Sequence, residues 1–70
     1  MITEHDIENW FTYHAPHDDQ PVRYVAIRED AKKLAYTILA NTKPSADQSA
    51  AIRLLRECVM TANASIACEE

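Results

Sequence analysis

The 70-residue chain contains no glycine. Glycine is the residue that most readily adopts a positive φ, so its absence predicts a chain without turns of that geometry. Glycine-rich phosphate loops and dinucleotide-binding loops are excluded for the same reason. Alanine is abundant, with Leu, Glu, Lys and Arg beside it, and all of these residues favour helix. The sequence therefore predicts an all-α fold.

A short helix is predicted near the N-terminus, over about residues 4–14. Thr3 can cap it, and acidic residues follow in its first turn, where the helix dipole favours them. Apolar side chains recur along one face up to His14. Pro16 then pushes the chain out of helical geometry and begins a loop.

Two long helices are predicted to follow, over about residues 21–41 and 45–67. The third helix begins at Ser45, which together with Gln48 forms a capping-box pattern. A short link between long helices is typical of an antiparallel hairpin. The prediction is one domain over residues 1–70, with a short N-terminal helix and a long helical hairpin. Its seams would consist of Ile27, Ala31, Leu34 and Ile38 on one helix, and Ile52, Leu55, Val59, Ala62 and Ile66 on the other.

The small size of the chain predicts self-association. A domain of this length buries only about 60% of its unfolded surface, and small domains usually gain stability from disulfides, a metal or partner chains. Cys58 and Cys68 lie about 15 Å apart along one predicted helix, too far for a disulfide. Both are interpreted as reduced, small apolar residues, as is usual in a reducing compartment, and Cys58 is interpreted as a core thiol.

The charge balance makes general nucleic-acid binding improbable. There are 11 acidic and 7 basic residues, for a net charge of −4, whereas DNA-binding and RNA-binding proteins depend on a basic surface. We expect no signal peptide, because the N-terminus has neither a basic region nor an apolar run. No stretch approaches the roughly 18 apolar residues of a membrane span. These features predict a cytoplasmic protein with no DNA or membrane partner.

A loop rich in His and Asp is the one candidate for catalytic chemistry. His14, His17, Asp18 and Asp19 could supply imidazole and carboxylate ligands to a divalent metal. A solvated loop with helix-capping aspartates explains the same residues, and local spacing of this kind is a weak signal. Cys58 has no evident histidine partner for nucleophilic chemistry. The sequence therefore predicts neither an enzyme nor a bound cofactor.

An aromatic and basic set is the stronger candidate for ligand binding. Tyr13 and His14 close the first predicted helix, and Tyr24 lies one turn before Arg28 on the second. Arg28 and Lys32 are i, i+4 neighbours on one face. If the first helix folds back beside the start of the second, an aromatic ring would lie near a guanidinium, as base stacking and phosphate pairing require.

Each of these residues also has an ordinary structural interpretation. Arg28 could pair with a neighbouring acid, Tyr13 could belong to the core, and Lys32 could be a solvated surface residue. Arg53 and Arg56 on the third helix form a second basic candidate. Spacing alone does not choose between these alternatives.

Residues 10–16, with the sequence WFTYHAP, begin a more specific pattern. An F-x-Y-H-x-P motif is followed by I-R-x-x-A at residues 27–31, and further matching positions continue along the hairpin as far as Ala67. The pattern resembles a family of small phage anti-CBASS sponge proteins, which are related in their helical hairpin to a class of anti-Thoeris sponges. The resemblance covers essentially the whole chain.

The resemblance implies both a fold and a function. Members are similar in having a short helix and a long hairpin, assembled into a hexamer that sequesters cyclic dinucleotides such as cGAMP, and cyclic trinucleotides, without cleaving them. It implies a base-stacking role for Tyr13 and a phosphate-contacting role for Arg28, where some members have lysine. His14, Pro16, Tyr24 and Lys32 complete the expected ligand-binding set. Such a protein would act in the cytoplasm of the infected bacterial host.

Two other classes of function are weighed against a sponge. The chain could be a helical interaction module that docks on a host or phage protein. A cyclic-nucleotide phosphodiesterase is suggested only by the His and Asp loop. Binding of cyclic dinucleotides separates the first class from a sponge, and metal-dependent cleavage separates the second.

Overall fold

The computed structural model describes residues 1–70 and contains three helices: α1 (Glu4–Trp10), α2 (Gln20–Asn41) and α3 (Ala46–Ala67). The all-α prediction is confirmed, because no strand is present. Helices α2 and α3 have 22 residues each, which makes them about 33 Å long, and they pack against each other as a hairpin. No helix in the chain combines the length and the apolar character that crossing a bilayer requires.

Helix α1 is shorter than the predicted range of 4–14. Its start is as expected, because Thr3 Oγ1 accepts a hydrogen bond from the Asp6 amide and Asp6 accepts one from the Thr3 amide. At its other end, the Thr12 hydroxyl donates to the Glu8 carbonyl, and the His14 imidazole bonds the Asn9 carbonyl at 2.6 Å. These carbonyls would have accepted the next two helical amides, so side chains take their place and the helix ends.

The turn before α2 has a positive φ, a geometry that the absence of glycine predicts to be missing. Asp18 has φ 51°, in the left-handed region. Aspartate enters this region more easily than most residues, because its short side chain can bond locally. Its carboxylate lies 2.9 Å from His17 Nδ1. The prediction of no positive-φ turn was therefore wrong, since Asp18 takes the place of glycine.

The link between α2 and α3 is held by side chains at both helix ends. Ser45 Oγ accepts a hydrogen bond from the Gln48 amide, so the predicted N-cap is confirmed. The reciprocal half of the capping box is absent, because Gln48 Nε2 donates to Thr42 instead. Thr42 also donates to the Ile38 carbonyl and so satisfies the end of α2.

The seam of α3 follows the prediction, while that of α2 does not follow it fully. All five predicted α3 residues are buried or half-buried. On α2, Leu34 is 48% exposed and Ala35 is half-buried in its place. A straight helix repeats every 3.6 residues and drifts away from a strict heptad pattern, which moves the contact from position 34 to position 35.

The chain buries very little of itself. Only Gln20 and Ile66 are buried, at 2% and 4% exposure, and the molecule measures 44 × 29 × 15 Å. A thickness of 15 Å is little more than one helix diameter, about 10–12 Å. The single chain is therefore a one-layer structure without an enclosed core, and its apolar surface is largely open.

Polar contacts concentrate where the start of α2 meets the end of α3, a region that we call the closed end: Gln20, Arg23, Ile66 and Glu69. Gln20 Nε2 donates to the Ile66 carbonyl at 3.0 Å, and its Oε1 accepts from the His17 amide. Arg23 makes two hydrogen bonds to Glu69, at 2.7 and 3.0 Å. These contacts fix how the two helices meet.

Helix α1 is fastened to the C-terminus rather than laid along α2. Asn9 Nδ2 donates to the Cys68 carbonyl at 2.8 Å, and His5 Nε2 lies 2.8 Å from a Glu70 carboxylate oxygen. Side-chain hydrogen bonds from α1 thus connect it to the residues at the end of α3. The alternative in which it folds back beside the start of α2 finds no hydrogen bond to support it.

Candidate functional site

An apolar groove with a basic rim lies between α2 and α3. It has a volume of about 360 Å³, in the lower part of the roughly 300–1,000 Å³ range of small-molecule pockets. Arg28, Lys32 and Arg56 form the rim. The remaining lining is apolar or aliphatic: Ala31, Ala35, Ile52, Leu55, Val59 and Met60. We call this feature the groove.

The three rim cations make no ion pair within the chain. The ion pairs that form involve His5 with Glu70, His17 with Asp18, and Arg23 with Asp19 and Glu69. The suggestion that Arg28 pairs with a neighbouring acid is therefore wrong in this structure. The three cations can attract an anion, and the apolar surface beside them can contact a flat hydrophobic group.

Helical geometry explains how the rim forms. Arg28 and Lys32 are one turn apart on α2, so they lie on the same face. The hairpin turns at residues 42–45, which places this part of α2 opposite residues 55–59 of α3. Arg56 is thereby brought to the other side of the groove. The sequence suggests Arg56 only as a weak second candidate. Folding the predicted hairpin about its link would have indicated that Arg56 lies opposite Arg28.

Arg53 extends the basic area along α3. Together with Arg56, Glu57 and Met60 it lines a second depression beside the groove, with a volume of about 430 Å³. Neither arginine is engaged in an ion pair, and Glu57 is also unpaired. Four unpaired cations of the hairpin thus lie on one side of its middle section: Arg28, Lys32, Arg53 and Arg56.

The other predicted site residues lie outside the groove. Tyr13 is 85% exposed, so the interpretation of Tyr13 as a core residue is wrong. Pro16 is exposed as well, and Tyr24 is half-buried on the hairpin seam. His14 is half-buried and bonds the Asn9 carbonyl, which anchors the segment that carries Tyr13. Within one chain, the structure therefore joins Arg28 with Lys32 but does not place Tyr13 beside them.

The His and Asp loop does not gather into a cluster of metal ligands. His17 bonds Asp18, His14 bonds a backbone carbonyl, and Asp19 lies 3.6 Å from Arg23. No group of three or more His, Cys, Asp or Glu side chains is arranged to hold a metal. Asp19 occupies the N-cap position of α2 without making a capping bond, because its carboxylate is directed to Arg23.

The cysteines differ from the prediction in one respect. Both are free, as expected. Cys58 is exposed rather than part of a core, while Cys68 is half-buried and donates from its thiol to the Asn9 carbonyl. The exposure of Cys58 follows from the one-layer fold, which has no interior to receive it.

Electrostatics distinguish the closed end from the groove. The hydrogen bonds from Arg23, and next the bond from Gln20, hold the pKa of the Glu69 carboxyl below its ordinary value of 4.5. Glu69 in turn raises the pKa of Arg23. The positive charge of Arg23 is thus already neutralised inside the chain, whereas the charges of the groove are not.

Comparison with known proteins gives one informative result. Residues 3–67 match a family model described as Acb2/Tad1, hairpin domain. The matched range covers all three helices and the groove, and it confirms the resemblance predicted from the sequence. No curated protein and no solved structure matches the chain.

Proposed function

The chain belongs to the Acb2/Tad1 hairpin-domain family of sponge-type anti-defence proteins, and from this membership we propose that it sequesters cyclic oligonucleotide second messengers. The ligands would be cyclic dinucleotides, cGAMP among them, and in addition cyclic trinucleotides. The chain would be a phage protein that acts in the cytoplasm of the bacterial host, where it removes the signal of CBASS immunity from solution.

The observation that carries the proposal is the set of unpaired cations on the rim of an apolar groove. A cyclic dinucleotide presents two phosphates and two flat bases. Arg28, Lys32 and Arg56 offer charge-assisted hydrogen bonds to phosphate, and the aliphatic lining offers a surface for a base. An acidic protein can hold such an anion, because the cations act locally even though the net charge is −4.

Tyr13 would complete the site from a second protomer. Its ring is exposed, and in its own chain it is not part of the groove. The His14–Asn9 hydrogen bond anchors the segment that presents the ring, and Tyr24 lies half-buried on α2 one turn before Arg28. A two-fold pocket would then supply two tyrosines for the bases and two arginines for the phosphates, matching the symmetry of the ligand.

Self-association is part of the same proposal. With two buried residues in 70, the single chain leaves most of its apolar side chains in solvent, among them Val22, Tyr36 and Leu54. A monomer with so little buried surface would be marginally stable. We propose a homo-oligomer, a hexamer as the resemblance implies, in which protomer contacts supply the missing core.

Sequestration without cleavage is the proposed mode of action. Tight binding lowers the free concentration of a signal, and turnover would require contacts that favour the transition state. His14 and His17, the candidate general bases, are engaged in local hydrogen bonds in the first loop. They are not among the residues that line the groove.

Native mass spectrometry with a panel of cyclic dinucleotides tests binding and stoichiometry together. We expect a hexamer that retains ligand through isolation. After incubation with Mg²⁺ or Mn²⁺, the cyclic dinucleotide should leave free solution and return intact, by chromatography, when the protein is denatured. Protein-dependent release of linear products would show an enzyme, and an oligomer that binds no member of the panel would favour the protein-interaction module.

Tyr13→Ala tests the aromatic half of the site. Loss of one stacking plane should weaken binding by about 1–3 kcal/mol per base. Phe11→Ala is the matched control, because Phe11 is equally exposed and lies two residues away. Calorimetry should show a large loss of affinity only for Tyr13→Ala, with the oligomer intact in both variants. Equal affinity in the two variants would remove Tyr13 from the site.

A further inference from the structure

Helix α2 has a second face that no part of the chain covers. It comprises six positions that step by 3, 4, 3, 4 and 3 residues and so lie on one side of the helix: Val22, Val25, Glu29, Lys32, Tyr36 and Leu39. We call this the outer face. Its four apolar side chains are between 44% and 72% exposed, and its two charged residues are also exposed.

The residues of the outer face are arranged so that two antiparallel copies of α2 would match each other. Val22 and Val25 stand at one end, Tyr36 and Leu39 at the other, and Glu29 and Lys32 in the middle. If a second copy of α2 lies antiparallel, Val22 meets Leu39, Val25 meets Tyr36, and Glu29 meets Lys32. Apolar side chains then contact apolar ones, and each central charge faces its opposite.

The central charges also exclude the parallel arrangement. Parallel helices in the same register would place Glu29 against Glu29 and Lys32 against Lys32, and like charges in contact are unfavourable. Neither side chain forms an ion pair within its own chain, so both are free to pair across an interface. The charges thus select one direction from two that the apolar residues alone would allow.

We propose that the outer face of α2 is an isologous dimer interface, in which two copies of α2 pack antiparallel about a two-fold axis between Glu29 and Lys32. The contact runs from Val22 to Leu39, about 26 Å along the helix. It would cover four of the apolar side chains that the one-layer fold leaves in solvent: Val22, Val25, Tyr36 and Leu39.

The proposed axis has a consequence for the groove. The axis runs perpendicular to the plane that contains the two α2 helices. Rotation about it does not exchange the two sides of that plane, so the two grooves lie on the same side. Both grooves therefore open on the same side of the dimer. Lys32 belongs both to the outer face and to the rim of the groove, so its pairing with the partner's Glu29 would leave Arg28 and Arg56 as the unpaired cations of the groove.

Charge reversal tests the register in the absence of ligand. Glu29→Lys and Lys32→Glu should each raise the dissociation constant of the dimer about tenfold or more, because two attractive pairs become repulsive. The double variant Glu29→Lys/Lys32→Glu restores opposite charges only in the antiparallel arrangement, so sedimentation should show recovered association. Asp30→Lys is the matched control, with the same charge change on the next residue but outside this face.

Cysteine cross-linking tests the same register by distance. In a Cys58→Ser/Cys68→Ser background, a mixture of Val25→Cys and Tyr36→Cys chains should give a disulfide-linked dimer. Val25→Cys chains alone should not, because the two copies of residue 25 would lie about 16 Å apart along the axis, beyond the roughly 7 Å that a disulfide allows.

The inference and the proposed function fail in different ways. The interface requires that the chain self-associates, and it does not require nucleotide binding. A hexamer that forms without the mixed cross-link and ignores both charge reversals would overturn the interface and leave the sponge standing. A monomer would overturn it as well. A cross-linked dimer that binds no cyclic dinucleotide would support the interface and refute the sponge.

Discussion

Two arginines on the same helix, five residues apart, have opposite roles. Arg23 belongs to the closed end, where it makes two hydrogen bonds to Glu69 and lies 3.6 Å from Asp19. Arg28 stands on the rim of the groove and has no acidic partner. A cation whose charge is neutralised within the chain contributes to the fold, and one that remains unpaired is available to an external anion. The difference therefore separates the part of the hairpin whose charges are neutralised within the chain from the part that we propose as the ligand site.

The largest expected effect distinguishes these two arginines by binding. Arg28→Ala removes a charge-assisted hydrogen bond of about 1.5–3 kcal/mol per phosphate, which raises the Kd for a cyclic dinucleotide about ten- to hundredfold. Use of Arg28 from two protomers would roughly double the free-energy loss. Titration calorimetry provides the measurement.

Arg23→Ala is the matched control for that prediction. It should lower the Tm while leaving the Kd near that of the wild type at temperatures where the protein is folded, because Arg23 is bound to Glu69 and does not line the groove. If the two substitutions weaken binding equally, the contrast between the closed end and the groove is wrong.

The next effect concerns stability at the closed end. Gln20→Ala removes the donor to the Ile66 carbonyl and the acceptor of the His17 amide at a buried position. Leaving these groups without partners should cost about 1–3 kcal/mol in the free energy of unfolding. Urea denaturation measures it.

Gln48→Ala gives the comparison at the other end of the hairpin. Gln48 is half-buried and bonds Thr42 in the link, where water can replace it. Its loss should cost less than about 1 kcal/mol. A Gln20→Ala variant no less stable than Gln48→Ala would show that the closed end does not hold the helices together.

The smallest effect is the dependence of stability on pH. Hydrogen bonds from Arg23, and next from Gln20, lower the pKa of the Glu69 carboxyl in the folded chain. The contribution of Glu69 to stability is therefore present above pH 4.5, and it is lost as the pH falls through the folded-state pKa. Glu69→Gln should therefore lower the Tm at pH 7 and reduce the further loss between pH 6 and pH 3, measured by circular dichroism.

Glu57→Gln is the control for the acid titration, since Glu57 makes no ion pair. It should follow the wild-type curve. A Glu69→Gln variant whose Tm falls with pH as steeply as that of the wild type would show that the pairing with Arg23 does not contribute to acid sensitivity.

Prediction from the sequence succeeded where the cause was local. The caps at Thr3 and Ser45 and the seam of α3 follow from neighbouring residues and helical spacing. Prediction from the sequence failed where a side chain can form hydrogen bonds with several different partners. The end of α1 depends on the bonds of Thr12 and His14 to backbone carbonyls, and spacing cannot reveal those bonds.

The candidate site likewise combines features that follow from local sequence with features that depend on distant contacts. The neighbouring positions of Arg28 and Lys32 on one face follow from their separation of four residues. Their meeting with Arg56 depends on the register of the hairpin, which is fixed by contacts at the closed end such as that of Gln20 with Ile66. Whether Tyr13 joins them stays a prediction, because its ring lies outside the groove of its own chain.

The sequence by itself determined an all-helical chain with free cysteines, and its motif determined the family, because helix propensity, capping and apolar period act over only a few residues. The tertiary structure alone decided which cations are neutralised and which stay free. That outcome depends on contacts such as Arg23 with Glu69, 46 residues apart in the chain. Such distant pairs form only after the hairpin has closed, so no local pattern in the sequence records them.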